Sequence, residues 1–333
     1  MGLVHDIFEK VLMVILALVA LLTSLLYGIE NLICSFIPKK FRRKNIEGQV
    51  ALVTGGGSGI GRLLCLRLAA RGARVVTWDV NKGGNEETAR QVQAAGGQCH
   101  TYTVDLCDRH AVYAAGAKVK QEVGKVDILI NNAGIVTGKD FMEAPDELIQ
   151  KTFDVNIMSH FWTTKTFLGD MIASNKGHVV TIASIAGLAG VNKLADYCAS
   201  KFAAVGFDES LRIELKVGGY TGVKTTCICP YYISTGMFDG VQSKLIPILK
   251  PEYVADQIMD AMLLNYHDLV IPGFCRYLVL LKFILPYEGA YKLYKACGGH
   301  LTMSDFQGRA TKQDEKILKN GTQDKLLNKK SMA

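Results

Sequence analysis

Val50-Ala51-Leu52-Val53-Thr54-Gly55-Gly56-Gly57-Ser58-Gly59-Ile60-Gly61 decides the fold. A strand-forming run enters a glycine cluster, and a helix-forming stretch over 59–71 follows. Glycines at such a junction let the backbone approach a pyrophosphate, which the helix amino terminus stabilises with unpaired N–H groups and its positive dipole end. A glycine-rich loop alone is equally a tight turn. Its place after a first strand, opening a helix, makes it a dinucleotide signature, with Gly55, Ser58, Gly59, Ile60 and Gly61 as expected contacts.

Outward from this loop, short β-rich runs at 50–54, 74–78, 100–104, 127–131, 178–183, 224–228 and 268–271 alternate with amphipathic helix-length segments at 59–71, 85–95, 109–123 and 199–215. Such alternation predicts an α/β fold, a doubly wound parallel (Rossmann) sheet forming one catalytic domain over 48–272. No internal repeat is evident. A chain of 333 residues, 49% hydrophobic and 21% charged, is globular rather than disordered or fibrous.

The amino-terminal residues 11–29 carry no charge, close to the roughly 20 residues that a helix needs to cross a bilayer core. A secretory signal is disfavoured because a basic n-region and a small-x-small cleavage site are missing. Residues 1–38 therefore read as a membrane anchor, although the apolar register continues through Leu32, Ile33, Phe36 and Ile37, so that crossing and lying in one leaflet both stay open. Of the formal charge of +7, five positives come from Lys39, Lys40, Arg42, Arg43 and Lys44 in the linker 39–47. Beside an apolar run this cluster suits anionic headgroups, and without an aromatic-interleaved basic stripe no nucleic-acid partner is expected. The positive-inside rule places the cluster, and the domain after it, in the cytosol. Nine scattered cysteines lack knuckle or redox spacing and read as reduced thiols, with no metal site.

Beyond the domain, 273–306 forms an apolar extension whose stretch 277–285 is interrupted by Lys282 and stopped by Pro286. It is too short to span and reads as an interfacial or substrate-capping helix. The tail 307–333 is polar and expected to be disordered, and its sequon Asn320-Gly321-Thr322 stays unused in a cytosolic setting.

Asp79 ends the second strand, eighteen residues after Gly61, where a carboxylate meets the adenosine ribose 2′-OH and repels the extra phosphate of NADP. NAD is thus favoured over NADP, with Lys82 as a partial offset. Tyr197 and Lys201 stand at i and i+4, on one face of a helix. Two unit charges about 4 Å apart at an effective dielectric near 20 interact by roughly 4 kcal/mol, or about three pKa units. The ammonium is therefore expected to draw the phenol from about 10 toward neutrality, where it accepts an alcohol proton. Alone, such a pair is usually only a helix surface.

Context changes that. Thr54-Gly55-x-x-x-Gly59-x-Gly61, Asp105, Asn131-Asn132-Ala133-Gly134, Asn156, Ser184 thirteen residues before Tyr197, and Tyr197-x-x-x-Lys201 together resemble the short-chain dehydrogenase/reductase family over residues 48 to 272. The resemblance implies that Ser184 hydrogen-bonds the substrate oxygen, Tyr197 is the acid/base, Lys201 holds the nicotinamide ribose and polarises Tyr197, and Asn156 supports a water relay. It further implies that Asp105 and Leu106 contact adenine, that Asn132, Ala133 and Gly134 line the adenosine side, and that Asn131 stabilises the sheet. By the same resemblance, the family's Pro-Gly-x-Val-x-Thr segment stands here as Pro230-Tyr231-Tyr232-Ile233-Ser234-Thr235, which implies that Pro230 belongs to the cofactor site and that Ile233 and Thr235 meet the carboxamide, while Tyr231 replaces the usual glycine and leaves the loop path open.

Residues 236–249, with Met237, Phe238, Leu245, Ile246, Ile248 and Leu249, read as an apolar lid or as ordinary core. An anchor tips the choice toward a lid for a lipophilic alcohol, since burying apolar surface stabilises by about 25 cal/mol per Å². Thr77-Trp78-Asp79-Val80-Asn81, Asn85-Glu86-Glu87-Thr88, Pro145-Asp146-Glu147-Leu148-Ile149, His160-Phe161-Trp162-Thr163-Thr164-Lys165 and Thr235-Gly236-Met237-Phe238 resemble a membrane-bound subgroup of that family, the retinol and lipid-droplet 17β-hydroxysteroid dehydrogenases. The resemblance implies oxidation of all-trans-retinol with NAD at an endoplasmic reticulum membrane or lipid-droplet surface, with a hydroxysteroid or fatty alcohol as alternative substrate. It implies a homodimer through helices 146–173 and 199–215. A non-catalytic lipid-surface or NAD-binding protein is the alternative from another class, and the intact Asn156, Ser184, Tyr197 and Lys201 set argues against it.

Overall fold

The computed structural model of the protein describes residues 2–308. The polar tail from 309 onward and the sequon at Asn320 lie outside the described residues. Two compact units divide between Lys44 and Asn45. The first holds helix α1 (Gly2–Phe36) and the short α2 (Lys39–Arg42). Within α1, His5–Cys34 is long and apolar enough to cross a membrane by length and composition. The helix runs through Gly28 and Glu30 without interruption.

The second unit is a seven-stranded, wholly parallel sheet: β1 (Val50–Thr54), β2 (Arg74–Asp79), β3 (Gln98–Thr103), β4 (Ile128–Asn131), β5 (Gly177–Ile182), β6 (Val223–Pro230) and β7 (Asp268–Ile271). Their order is β3-β2-β1-β4-β5-β6-β7. Helices α3 (Gly59–Ala69), α4 (Lys82–Ala94), α5 (Arg109–Glu122), α6 (Asp146–Phe153), α7 (Ser159–Ala173), α8 (Ala195–Val217) and α9 (Pro251–Leu263) pack on the sheet, and α10 (Cys275–Ile284) and α11 (Tyr287–Ala296) follow it. The central strands are buried throughout, as a parallel sheet covered on both faces requires. One core lies between β1, β4, α3 and α9, around Leu64, Leu68, Ile130, Ile258 and Met262. The other lies beneath α5, α7 and α8, around Trp78, Val112, Leu129, Phe167 and Leu215. The chain reverses its winding between β1 and β4, the switch point at which such sheets bind ligands.

The predicted strands all form, with ends shifted by one or two residues. Two helix expectations change. α8 begins at Ala195 rather than 199, so that Tyr197 lies in its first turn. The segment 146–173 is not one regular helix: a π-helical turn at Asp154–Met158 separates α6 from α7 and carries Asn156. The extra backbone residue re-aims that side chain, a common use of π-turns at functional sites. The break expected at Pro286 is present, with Leu285 extended between α10 and α11.

Candidate active site

The carboxyl end of β1 opens into the glycine loop, and here each glycine answers a steric demand. Gly55 and Gly59 have φ of +65° and +51°, in the left-handed region. A Cβ on Gly61 would lie 2.1 Å from the Gly55 carbonyl oxygen, and one on Gly56 2.8 Å from Thr77 Cβ. The loop is held from two sides. The Asn132 amide donates to the Thr54 and Gly55 carbonyls at 2.9 and 3.3 Å, and Thr54 Oγ1 accepts from the backbone of Asn132 and Ala133 at 3.0 and 3.1 Å. Arg62, which sequence reasoning missed, donates to Gly57 O at 2.5 Å and to Gly84 O at 3.2 Å. A polar residue inside a glycine-loop helix was the available signal for it. Ser58 caps α3 in extended conformation, and Ile60 is buried against the first core.

Asp79 stands at the end of β2 as expected, but its carboxylate is already engaged. Oδ2 accepts from Gly57 N at 2.9 Å and Oδ1 from Asn81 N at 2.8 Å. It therefore clamps the glycine loop to the end of β2. Lys82 pairs with Glu86 at 3.8 Å and so has its own counter-charge. Asp105 Oδ1 accepts from Cys107 N at 2.9 Å in the turn after β3, and Leu106 beside it is buried. Asn131 ties β4 to α7: Thr163 Oγ1 donates to its Oδ1 at 2.7 Å. Thr235 sits over the loop, its Cβ 3.4 Å from where a Gly59 Cβ would be. Ile233 pairs with Leu249, and Tyr231 N donates to Ile271 O at 2.8 Å, so Tyr231 is accommodated by pairing with the end of β7. The tyrosine hydroxyl reaches Ser243 at 2.8 Å. A Cβ at Gly55, Gly56, Gly57 or Gly61 would come within 3.0 Å of a neighbouring atom, and the N–H groups of Gly55, Gly56 and Gly57 are taken by Trp78 O and the Asp79 carboxylate, so the loop forms a close-packed cradle at the end of β1 that fits a nicotinamide dinucleotide.

Beside the cradle, Ser184, Tyr197, Lys201 and Asn156 come together. Ser184 follows β5; its Oγ accepts from Ala186 N at 3.1 Å and donates to Pro230 O at 3.4 Å, and it stands close enough to Tyr197 to favour the ionised phenol. Lys201, one turn along α8 and buried, donates from Nζ to the Ile182 carbonyl at 2.8 Å. Asn156 accepts from Ile135 N at 2.8 Å and donates to Ile135 O and Ser200 Oγ, both at 3.0 Å. A Cβ on Gly134 would lie 3.4 Å from Asn156 Oδ1 and 3.6 Å from Lys201 Nζ, so Gly134 keeps the space between them open. Ser200, buried and bonded to Tyr197 O at 2.8 Å, is a further member that spacing did not reveal.

The expected lowering of the Tyr197 pKa by Lys201 is not what the structure has. Burial raises the phenol above its ordinary value, and the Ser184 hydroxyl nearby offsets only part of that. The ammonium is directed at Ile182 O, 5.7 Å from the tyrosine ring centroid, and so the i,i+4 attraction is not realised at the hydroxyl. Lys201 itself is drawn down to about 8, chiefly by burial, with Cys227 and Cys229 acting the other way.

An aromatic wall covers Tyr197. The Phe238 ring lies 5.7 Å from it edge to face, Tyr232 is 5.0 Å from Phe238, and Phe306 is 6.4 Å from Phe238. The expected lid thus divides: Phe238 joins the site, Ile246 and Leu249 enter the core, and Leu245 and Ile248 face outward. Phe306 and the buried Met303 come from a strap at 302–308 that sequence reasoning did not place here. Gln242 N donates to Thr302 O at 3.0 Å and Gln307 N to Asp239 O at 2.9 Å, so the first residues expected in the tail are bonded to the substrate loop. Gly138, φ +65°, makes room for Phe306: a Cβ there would meet Cε1 at 2.1 Å. No local pattern marks Phe306, because its partners lie over sixty residues away. All nine cysteines are unpaired thiols, and among the described residues no group of His, Cys, Asp or Glu is arranged to hold a metal.

Comparison with known proteins agrees with this geometry. Residues 49–245 match the family model described as short chain dehydrogenase. The chain is 50% identical over 267 residues to epidermal retinol dehydrogenase 2 of Homo sapiens, covering 79% of this chain and 86% of that protein. It is 45% identical over 273 residues to estradiol 17-beta-dehydrogenase 11 of Mus musculus, covering 82% and 91%. A crystal structure of a short-chain dehydrogenase/reductase from Burkholderia phymatum in complex with NAD is similar at 26% identity and a TM-score of 0.66, covering 72% of this chain and 94% of that one. The reading as a non-catalytic lipid-surface protein is accordingly set aside. The chain belongs to the short-chain dehydrogenase/reductase family, and is a short-chain alcohol dehydrogenase that works with a nicotinamide dinucleotide.

Proposed function

We propose that the protein oxidises a lipophilic alcohol with NAD at Tyr197, and that the alcohol is all-trans-retinol. The observation carrying this reading is the convergence of the Ser184 and Tyr197 side chains beneath the wall of Phe238, Tyr232 and Phe306. Ser184 holds the substrate oxygen, and Tyr197 takes the hydroxyl proton, which needs its ionised form, the form that burial disfavours and Ser184 favours. NAD, when bound, supplies the hydride acceptor and a cationic nicotinamide ring. Lys201 adds positive charge on the same helix face and holds the ribose side of the site; Asn156 and Ser200 position the first turn of α8. Asp79 supports NAD over NADP, since Lys82 is occupied by Glu86.

The retinol dehydrogenase relative supports the retinoid reading. A hydroxysteroid or fatty alcohol is the second reading, favoured by the similarity to estradiol 17-beta-dehydrogenase 11. Helix α1 supports membrane attachment, and the basic cluster at 39–44 a cytosol-facing domain on the endoplasmic reticulum or a lipid droplet. We assign the homodimer contact to the outward faces of α7 and α8, where Phe161 and Ile213 are exposed. Membranes carrying the full chain, assayed for NADH formation with retinol, estradiol and a long-chain alcohol, should turn over retinol fastest. No turnover with any of them rejects the reading. Protease added to sealed microsomes should digest the catalytic domain; a protected chain glycosylated at Asn320 reverses the topology.

A further inference from the structure

The α10–α11 hairpin is built unlike the rest of the catalytic domain. Cys275 is the only buried residue of α10, and α11 has none. Tyr277, Phe283, Ile284 and Tyr287 are 70, 74, 75 and 79% exposed, and Phe274, Leu280 and Tyr291 are exposed beside them. A helix of a water-soluble domain turns its apolar stripe to the core and a charged face to solvent. Here the apolar and aromatic side chains face outward, in a contiguous set larger than scattered surface residues account for. Across 273–301 the charged side chains are Arg276, Lys282, Lys292 and Lys295 against a single acid, Glu288. Aromatic rings, aliphatic chains and basic side chains with almost no acid are the composition of a surface that lies in anionic headgroups.

The hairpin is tied to the active site. Lys282 Nζ donates to the Leu188 carbonyl and lies 5.0 Å from the Phe202 ring of α8. The Tyr294 hydroxyl accepts from Asn192 N at 3.3 Å, and Asn192 Nδ2 donates to His300 O at 3.3 Å. Leu188 and Asn192 belong to the connection joining Ser184 to Tyr197. From the hairpin the chain passes directly into the strap that brings Met303 and Phe306 to the aromatic wall.

We infer that the α10–α11 hairpin is a second membrane contact, seated on an anionic lipid surface, through which lipophilic alcohol passes from the bilayer to Tyr197. This rests on the proposed reading of a membrane-attached chain with a lipophilic substrate. α1 holds the chain on vesicles in any case, so the test reads the hairpin itself. Full-length F283W is reconstituted in phosphatidylcholine/phosphatidylserine vesicles containing brominated lipid, and V217W, 84% exposed at the carboxyl end of α8, serves as reference. The F283W emission should be quenched at least threefold more than that of V217W, and less in pure phosphatidylcholine. Equal quenching of the two variants overturns the inference, and equal quenching in both lipids overturns its anionic part.

A second arm uses activity. Changing Phe283, Ile284 and Tyr287 together to Asp should raise KM for a vesicle-borne long-chain alcohol about tenfold, leaving kcat and KM for a short water-soluble alcohol unchanged. An unchanged KM for the vesicle-borne alcohol overturns the entry route. A face covered by a second copy of this chain leaves F283W unquenched and lowers the detergent-solubilised mass of the aspartate variant, and the inference then fails. Absence of turnover in the unsubstituted chain with every alcohol refutes the proposed function, while the quenching arm still decides whether the hairpin enters lipid.

Discussion

The cradle at 55–61 and the aromatic wall over Tyr197 occupy the same edge of one sheet, yet they are built from different material. The cradle is backbone: its shape comes from close-packed glycines, Gly61 against the Gly55 carbonyl above all, held by Asn132, Thr54 and Arg62. The wall is side chain: three rings, Tyr232 and Phe238 from the segment after β6 and Phe306 from a strap beyond residue 300. A backbone site recognises what all dinucleotides share and tolerates almost no change. A side-chain site can be repacked for a new substrate while the chemistry next to it stays fixed, which is how one fold serves many alcohols.

Tyr197, the member between the two, should show the largest effect. Tyr197→Phe removes the proton acceptor and should lower kcat by about 10³-fold, within the usual range for general acid–base groups. NAD affinity, followed by fluorescence of the bound reduced form, should stay unchanged. A variant that turns over normally breaks the mechanism, and one that also loses NAD moves Tyr197 into the cradle half.

Gly61→Ala probes the backbone half. With a Cβ 2.1 Å from Gly55 O and 2.7 Å from the Asn132 amide, the loop has to open. Overpacking of this kind costs about 1–3 kcal/mol, so NAD dissociation constants should rise by roughly a hundredfold at the upper end of that range. Titration calorimetry with NAD measures this directly. Unaltered binding would mean that the loop is as adaptable as the wall.

Phe306→Ala tests the other side. Burying a phenyl group fully contributes about 1.5–3 kcal/mol, and Phe306 is half-buried, so KM for a long lipophilic alcohol should rise about tenfold. The KM for NAD, and for a short alcohol that does not reach the strap, should hold. Equal losses for short and long alcohols would show that the strap supports the fold rather than the substrate.

The smallest effect belongs to the scaffold beneath both halves. His160 on α7 is fully buried, neither ring nitrogen has a hydrogen-bond partner among the described residues, and burial, assisted by the charge of Lys201, lowers its pKa to about 3. The native state therefore binds fewer protons than the unfolded chain between about pH 3 and the ordinary value near 6.5. Stability is fully present above that value and falls with pH below it. The loss from this one group between pH 6.5 and 5 is about 2 kcal/mol. His160→Leu should abolish that part of the acid sensitivity in urea unfolding at pH 7.5 and 5, with kcat little changed. An unaltered pH dependence would place the acid sensitivity elsewhere.

The two halves differ as much in legibility as in construction. Glycine spacing and the strand before it are local facts, and the loop follows from them, but the Arg62 and Asn132 bonds that hold it do not. Spacing put Tyr197 and Lys201 on one helix face, but only the family resemblance singled that pair out and added Ser184 to it. Asn156 was named, but its π-turn was not, because that turn depends on the bonds it makes with Ile135. Phe306 and Met303 carried no signal, since nothing in the run of sequence around them tells which distant loop they meet.

By itself, the sequence determined the parallel sheet, the dinucleotide cradle, the tyrosine–lysine face and an apolar amino-terminal helix, all of which depend on short-range periodicity and spacing. The tertiary structure decided three further matters. It set the direction of the Tyr197 pKa, because burial outweighs an ammonium turned toward Ile182. It brought the strap at 302–308 over the substrate loop. It also left the α10–α11 hairpin with its apolar side chains facing outward. Desolvation and long-range contact belong to the folded chain, and no spacing within a helix or a loop encodes them.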